Sequence, residues 1–230
     1  MNRQARGQVT KSAIIDAALE LFEERGYEAT TMRAIADKAD VSLGSAYYYF
    51  DSKEHLIQGF YSRAGDEQKA LVPDRLAGVT DLGERLIIFL ESWVDIMVRY
   101  RRFAAEFFRS AANPQSPLSP FSPESAPARD VGIELLRMVI DGSDTDIPDL
   151  VGDELPELLW LYHMGVVLFW VYDSSEESQA TRLLVRRTIP LITAGIGLSQ
   201  LPALRGVIGE LIALIHDLKE LFTPPVAANP

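Results

Sequence analysis

A run of small, polar and aromatic residues at positions 42–49 carries side chains suited to hydrogen bonding with a polar partner. Ser42 and Ser45 are small enough for close approach, and three tyrosines follow at positions 47–49. A tyrosine packs its ring on protein while its hydroxyl reaches a polar group. Lys53 adds a cation shortly afterwards. Consecutive residues of a helix point about 100° apart, so at least one tyrosine is expected to face outward.

The surrounding sequence has the signals of two short helices joined by a tight turn. Thr30 and Thr31 are candidate N-caps for a helix over MRAIADKA, and Ser42 is a candidate N-cap for a helix over LGSAYYYF. Asp40 lies between them, where the chain must bend. Asp51 and Ser52 offer a cap for a further helix, KEHLIQGFYSRA. Such a pair is a helix-turn-helix, whose second helix enters the major groove of DNA with its N-terminal residues leading.

An amphipathic helix is predicted before this pair. Its apolar stripe consists of Ile14, Ala17, Ala18, Leu21 and Phe22. Gly26 is expected to end it.

Residues Thr31–Leu56, TMRAIADKADVSLGSAYYYFDSKEHL, resemble the DNA-binding motif of the TetR/AcrR family of bacterial transcriptional regulators. The family pattern is roughly T-x-x-x-I-A-x-x-A-G-V-S-x-G-x-x-Y-x-Y/H-F-x-S-K-E-x-L. Two positions depart from it, since Asp40 replaces the usual turn glycine and Ala46 stands where a larger aliphatic residue is common. Aspartate tolerates the left-handed conformation better than most residues, so the turn is expected to form.

The resemblance implies a set of DNA-contacting residues. Tyr47, Tyr48 and Lys53 would mainly contact phosphates. Arg33, Leu43 and Ser45 would lie nearer to the bases, and the assignment of Tyr49 to the bases stays open. The full set is Thr31, Arg33, Ser42, Leu43, Gly44, Ser45, Tyr47, Tyr48, Tyr49 and Lys53.

The resemblance also implies the architecture and the function. The fold would be all-α, with an N-terminal three-helix DNA-binding domain at residues 1–52 and a larger helical ligand-binding and dimerisation domain at residues 53–230. A homodimer would bind a pseudo-palindromic double-stranded DNA operator, and repression is the family default. In the family, two helices near the C-terminus form a four-helix bundle with their symmetry mates. The dimer surface is therefore assigned to residues 156–200, with the final helix as a possible addition.

The charge distribution leaves a second interpretation open. The net charge of the 230-residue chain is -11, which seems to argue against a nucleic-acid partner. Residues 1–65, however, carry eight Lys or Arg and nine Asp or Glu, whereas residues 66–230 carry 14 and 24. The acidity therefore belongs to the second segment. The alternative to a regulator is a helical interaction protein whose helix-turn-helix does not bind DNA.

The residue types exclude several classes of chemistry. The absence of cysteine removes disulfides, thiolate nucleophiles and cysteine-ligated zinc, and it favours a reducing cytoplasm. The three histidines, His55, His163 and His216, are scattered and form no metal site. No nucleophile and base pair or phosphate loop can be assembled, so neither catalysis nor a cofactor is predicted. The polar, basic N-terminus is not expected to be a secretory signal.

The remaining sequence also predicts helices. They cover residues 81–101, 103–112, 131–140, 158–172, 181–198 with a kink at Pro190, and 204–222. Five prolines at positions 114–127 interrupt them, and this segment is either an ordered connector, pinned by Leu118 and Phe121, or a polyproline ligand. The apolar segment 158–172 is too short for a membrane span of roughly 20 residues, so a buried helix is expected.

Large apolar side chains on these helices are candidates for an effector site. They are core residues first, but such side chains also line pockets between helices, and the family builds its effector cavity there. His163 is more readily explained as a structural histidine than as a ligand contact. The candidates for contact with a small apolar or aromatic effector are Trp93, Met97, Phe107, Phe108, Trp160, His163, Met164 and Trp170. Glu91, Asp95 and Glu106 would suit a cationic effector, although a solvated helix face is the simpler interpretation.

Overall fold

Every regular secondary-structure element in the described part of the chain is a helix, which confirms the all-α prediction. The computed structural model describes residues 3–101 and 115–198, with isolated positions at 104, 108, 111 and 113 and between 201 and 217. The helices, numbered along the described chain, are α1 (Arg3–Arg25), α2 (Met32–Lys38), α3 (Leu43–Tyr49), α4 (Lys53–Arg75), α5 (Leu82–Met97), α6 (Ala126–Asp141), α7 (Asp149–Gly152), α8 (Leu155–Tyr172) and α9 (Gln179–Leu198).

The predicted helix-turn-helix forms from local capping signals. The side chain of Thr31 accepts a hydrogen bond from the Ala34 N–H and caps α2, while Thr30 donates to the Gly26 carbonyl at 2.8 Å. Asp40 adopts the left-handed conformation with φ at 53°, so it takes the place of the usual turn glycine. The chain then enters α3, capped by Ser42.

α4 is longer than the predicted helix over KEHLIQGFYSRA, because it continues to Arg75. Tertiary packing stabilises its second half. The Gln68 amide is buried and donates to the Phe89 carbonyl at 3.1 Å, and Val72 is fully buried. The helix thus starts beside the helix-turn-helix and ends inside the larger helical domain.

Two hydrophobic clusters make up the core. The first cluster contains the buried residues of α1 to α3 and of the N-terminal part of α4, and it continues into Val94, Met97, Leu118 and Trp170. The second cluster lies among α4, α5, α6, α8 and α9, and it includes Phe89, Leu136, Trp160 and Ile189. The helix-turn-helix therefore shares a core with side chains from α5 and α8.

Arg85 is a buried cation of α5 that fastens this helix to the end of α6. Its guanidinium donates to the carbonyls of Val139 at 2.7 Å and Met138 at 3.1 Å, and to that of Val79 at 2.6 Å. The C-terminal end of a helix favours a cation. Gly142 permits this approach, because a Cβ there would lie 2.1 Å from the guanidinium.

The proline-rich segment is an ordered connector made of successive turns rather than a polyproline helix. The N–H groups of Ser116, Ser119, Ser122 and Ser125 each donate to the carbonyl three residues earlier, at 2.9–3.3 Å. Leu118 is buried, whereas Phe121 is 62% exposed and lies against Trp160. The connector is fastened to α4 because the Gln58 amide donates to the Pro117 carbonyl at 2.8 Å.

Other helix boundaries differ modestly from the predictions. α6 begins at Ala126, since Pro127 fits the first turn of a helix, where its missing N–H costs nothing. α9 is one helix that contains Pro190. The helices predicted at residues 103–112 and 204–222 lie outside the described residues apart from isolated helical positions.

Candidate nucleic-acid interface and apolar regulatory core

α3 presents an outward face of small residues and tyrosines. Tyr47 is 46% exposed and Tyr48 is 80% exposed, while Tyr49 is half-buried. Ala46 is fully buried, so the departure from the larger aliphatic residue sits on the inner side of the helix. Two of the three tyrosines thus place their hydroxyls where a partner can reach them.

The first turn of α3 leaves space on its outer side. The Ser42 hydroxyl oxygen accepts from the Ser45 N–H at 3.0 Å, which holds both residues at the helix start. A Cβ added at Gly44 would meet only the Ser42 hydroxyl, at 3.9 Å, so packing within the protein does not require glycine there. Leu43 is half-buried against the first cluster. A small residue at position 44 suits close approach by an external partner.

α2 adds two of the predicted contact residues to the same motif. Thr31 and Arg33 are both exposed at its start, although the Thr31 hydroxyl oxygen already accepts the Ala34 N–H at 3.2 Å. Lys38, at the other end of α2, is occupied by ion pairs with Glu20 at 2.9 Å and Glu24 at 3.0 Å. The carboxylates neutralise Lys38, so it is a poor candidate for a phosphate contact.

Lys53 is held in position by the loop between α1 and α2. Its ammonium donates to the carbonyls of Tyr27 at 2.6 Å and Glu28 at 3.5 Å, and it lies 4.3 Å from the centroid of the Tyr27 ring. Burial and a hydrogen bond to Glu54 raise the pKa of Tyr27, so its hydroxyl stays protonated and donates to Glu54 at 2.9 Å. An ammonium has three donors, so Lys53 retains capacity for a phosphate while its position is fixed.

The N-terminal turns of α1 lie beside α3. The sequence alone does not indicate this proximity. A Cβ at Gly7 would lie 3.5 Å from the Tyr49 hydroxyl, and the Lys11 ammonium is 5.8 Å from the Phe50 ring centroid. Arg6 is exposed on the same stretch of helix. The sequence alone assigns these cations no role, because only the tertiary packing brings α1 next to the tyrosines.

The structure brings three of the proposed effector contacts together. The Trp93 ring centroid lies 5.1 Å from that of His163 and 5.2 Å from that of Trp170, both with edge-to-face geometry. The Trp170 indole N–H donates to the Ser178 hydroxyl at 3.0 Å. Met97 is buried in the first cluster.

The other proposed effector contacts are dispersed. Trp160 belongs to the second cluster and lies against Phe121, and Met164 packs on that cluster. The Phe108 ring lies 6.0 Å from that of Tyr172. Phe107 lies outside the described residues. The candidates that the structure describes therefore do not all belong to one cluster.

Two open clefts lie elsewhere. One, of about 430 Å³, is lined by Arg137, Ile140, Asp141, Gly152, Asp153 and Pro156. The other, of about 500 Å³, is lined by Tyr27, Glu28, Glu54, Asn113, Gln115, Ser116, Pro117 and Leu118.

The acidic residues of α5 are engaged with arginines. The Glu91 carboxylate pairs with Arg186 at 2.6 Å, and Asp95 lies between Arg75 at 2.6 Å and Arg182 at 2.7 Å. Burial alone would raise the pKa of Asp95, but hydrogen bonds from the two arginines outweigh it and lower the pKa. These carboxylates join α4, α5 and α9, and Glu106 lies outside the described residues.

α8 and α9 expose large apolar side chains. α8 has 18 residues with a mean hydropathy of 1.3, and 44% of them are buried inside the fold, so length and composition alone would suit a membrane span. The core helix of a soluble protein meets the same description. The exposed apolar residues of the two helices are Leu161, Leu168, Phe169, Tyr172, Leu183, Leu191 and Leu198.

Comparison with known proteins assigns the two parts of the chain to one family. Residues 14–59 match the family model described as bacterial regulatory proteins, tetR family. Residues 85–214, more than half of the chain, match the model described as tetracyclin repressor-like, C-terminal domain. Solved structures share the fold: a TetR transcriptional regulator from Nitrosomonas europaea has a TM-score of 0.62 at 22% identity, covering 79% of this chain and 96% of that one.

A second solved structure is FadR from Thermus thermophilus, a TetR family repressor in complex with lauroyl-CoA, with a TM-score of 0.56 at 23% identity over 78% of this chain and 93% of that one.

Curated relatives match the N-terminal part. The regulator UidR of Escherichia coli K12 is 39% identical over 70 residues, 30% of this chain and 35% of the relative. The repressor KstR of Rhodococcus jostii is 47% identical over 53 residues, 23% of this chain and 25% of the relative. The match thus spans about a third or less of these relatives. The two family models together show that the chain belongs to the TetR family of bacterial regulatory proteins.

Proposed function

We propose that this chain is a cytoplasmic, ligand-responsive transcriptional repressor that binds a pseudo-palindromic DNA operator as a homodimer. The observation that carries this proposal is the outer face of α3, where exposed Tyr47 and Tyr48 follow a first turn with open space at Gly44. The recognition helix of a helix-turn-helix needs small residues at its start and polar groups beside them. The curated relatives include proteins named as transcriptional regulators and repressors, which supports the same role here.

The DNA contacts that we propose are the ten residues implied by the family resemblance, with two additions from the packing of α1. Residues 1–52 would form the reading head and residues 53–230 the regulatory domain, with α4 connecting them. Arg6 and Lys11 lie beside the C-terminal end of α3, so we add them as phosphate contacts. TetR family regulators are generally non-enzymatic transcription factors, and we propose no catalytic role for this chain.

The dimer interface that we propose consists of the exposed apolar face of α8 and α9. TetR family regulators bind DNA operators as dimers. An apolar patch of this kind on a single chain marks a protein or membrane contact. When these helices pack against the same helices of a second copy, they cover the patch. The two-fold symmetry of such a dimer places two DNA-binding domains on one duplex. We therefore assign the patch to a second copy of the chain.

The effector that we propose is a small, mainly apolar molecule that binds near Trp93, His163 and Trp170 and lowers the affinity for DNA. The lauroyl-CoA of the Thermus FadR carries a long apolar chain, which supports an apolar effector for this fold. In one conformation of the proposed dimer, the two DNA-binding domains are not spaced to bind the operator. A ligand that binds only this conformation shifts the population towards it. α4 is the proposed connection, since it packs on both clusters.

Replacing Lys53 with alanine is expected to weaken binding to every duplex. It should also reduce the slope of log affinity against log salt by about one per chain, which is about two for a bound dimer, because each chain loses one phosphate contact. Duplexes selected from genomic fragments, measured by fluorescence anisotropy at several salt concentrations, provide the test. Changing Leu43 or Ser45 is instead expected to alter sequence preference. Lys38→Ala is the matched control, because Glu20 and Glu24 already neutralise that lysine.

An unchanged salt slope in Lys53→Ala would show that this lysine fastens the loop before α2 and does not contact phosphate. Failure of the wild type to bind any selected duplex would favour the alternative, a helical interaction protein.

A further inference from the structure

His163 is a buried polar residue to which no described part of the chain offers a hydrogen bond. Its side chain lies on α8 and is only 5% exposed, and neither ring nitrogen has a hydrogen-bond partner among the residues that the structure describes. The rings around it are apolar, with Phe89 at 5.5 Å and Trp93 at 5.1 Å between centroids. Burial lowers the pKa of His163 to about 4, so the imidazole is neutral near pH 7.

This arrangement is unfavourable for a purely structural residue. A neutral imidazole has one N–H donor and one nitrogen acceptor. Leaving such groups buried and unpaired costs free energy, whereas an apolar side chain of similar size would fill the same space without that cost. The described residues therefore leave both ring nitrogens of His163 free for a polar partner.

The position of His163 suits control of the reading head. Phe89 belongs to the second cluster, whereas Trp93 packs on the first cluster, which includes the core of the helix-turn-helix. His163 contacts both rings and so lies at the boundary between the clusters. Trp93 is only partly buried, which places solvent one side chain away from the imidazole.

We propose that His163 anchors the effector by a hydrogen bond to an uncharged oxygen, such as a hydroxyl, carried on an apolar body that inserts beside Phe89 and Trp93. This inference rests on the proposed function and names the chemistry of its ligand. A neutral imidazole offers no charge to an anion. The arginines packed on α5 from α9, Arg182 and Arg186, are paired with Asp95 and Glu91, so they do not favour an anionic group either.

Three probes with the same hydrocarbon body test the proposal: para-propylphenol, propylbenzene and para-propylbenzoate. Calorimetry on the full-length protein is expected to show that the phenol binds about tenfold more tightly than the other two, because only the phenol supplies an uncharged partner for a buried, unpaired imidazole. Binding of the phenol should also release DNA over the same concentration range. Equal affinity for the phenol and the hydrocarbon, or no binding of the phenol, would overturn the proposal.

Substitutions at His163 distinguish a role in effector binding from a purely structural role. His163→Phe is expected to raise Tm by at least about 2 °C, because two unpaired groups leave the core. The variant should keep its DNA affinity and lose the preference for the phenol. His163→Leu provides a second test if the larger ring does not fit. Tyr162→Phe is the control, since its hydroxyl bonds to Thr188 on the neighbouring helix and the preference should persist.

The readouts distinguish this inference from the proposed function. A wild type that binds DNA but shows no preference for the phenol contradicts only the role of His163. A wild type that binds no DNA contradicts the regulator, while the phenol affinities still report on His163. Retention of the preference by both His163 variants would also overturn the inference.

Discussion

Replacing Leu191 with lysine is expected to convert the dimer into monomers and to lower operator affinity by about a hundredfold or more. Leu191 is 70% exposed on α9, in the middle of the apolar face that we assign to the second copy. Because a two-fold interface contains each residue twice, the substitution places two cations in an apolar contact. Sedimentation gives the oligomeric state, and anisotropy gives the affinity.

The size of this effect follows from linkage of the two reading heads. One head carries few cations, so it binds weakly alone, and the second head binds at a high effective concentration only while the dimer persists. Phe121→Lys is the matched control, because Phe121 is 62% exposed on the connector and lies outside the proposed interface. A dimeric Leu191→Lys protein with full affinity would place the interface elsewhere.

Lowering the pH from 6.5 to 4 is expected to remove roughly 3 kcal/mol of stability through His163 alone. Burial lowers the pKa of this group from 6.5 to about 4 in the folded protein. Between these values the unfolded chain takes up a proton that the folded chain does not, so the free energy of unfolding falls as the pH falls. The loss of stability through His163 is small above pH 6.5 and grows progressively down to about pH 4.

Urea unfolding of the wild type and of His163→Phe across this pH range provides the measurement. The difference between the two free energies of unfolding isolates the histidine, because both proteins contain the same carboxylates. Asp173 titrates in a lower window: burial raises its pKa, but hydrogen bonds from Ser175 and Thr181 outweigh this and lower it to about 2. Parallel curves for the two proteins would show that His163 is protonated normally in the folded state.

The helix-turn-helix was predictable because its signals are local. Thr31, Ser42 and Ser52 each cap the helix that follows, as their positions in the sequence predicted. The turn at Asp40 was predictable for the same reason, because an aspartate side chain allows the left-handed conformation that the turn requires. Short-range hydrogen bonds and apolar periodicity determine these features, so no knowledge of distant residues is needed.

Features that depend on distant residues were not predictable. Arg85 on an amphipathic helix looks like a solvated side chain, yet its acceptors include Val139 and Met138, more than 50 positions away. The second half of α4 is polar in sequence and is stabilised by Gln68 and Val72, which contact other helices. The position of Lys11 beside α3 likewise depends on how α1 packs.

The effector site was only partly predictable for the same reason. Large apolar residues are recognisable in the sequence, but their grouping depends on the tertiary fold. Trp93, His163 and Trp170 lie together, whereas Trp160 packs beside the connector. Sequence reasoning treated His163 mainly as a structural histidine. That no described residue pairs with its ring nitrogens is visible only in the structure.

The most direct test of the account is the binding of the purified protein to duplexes selected from genomic fragments. A dimeric regulator is expected to select a pseudo-palindromic site that takes up two chains per duplex, with affinity that falls steeply as salt rises. A duplex with one half-site replaced should bind about a hundredfold more weakly, because one reading head is then lost. If the protein retains no duplex at low salt, or binds whole and half sites equally, it does not bind DNA as the proposed dimer.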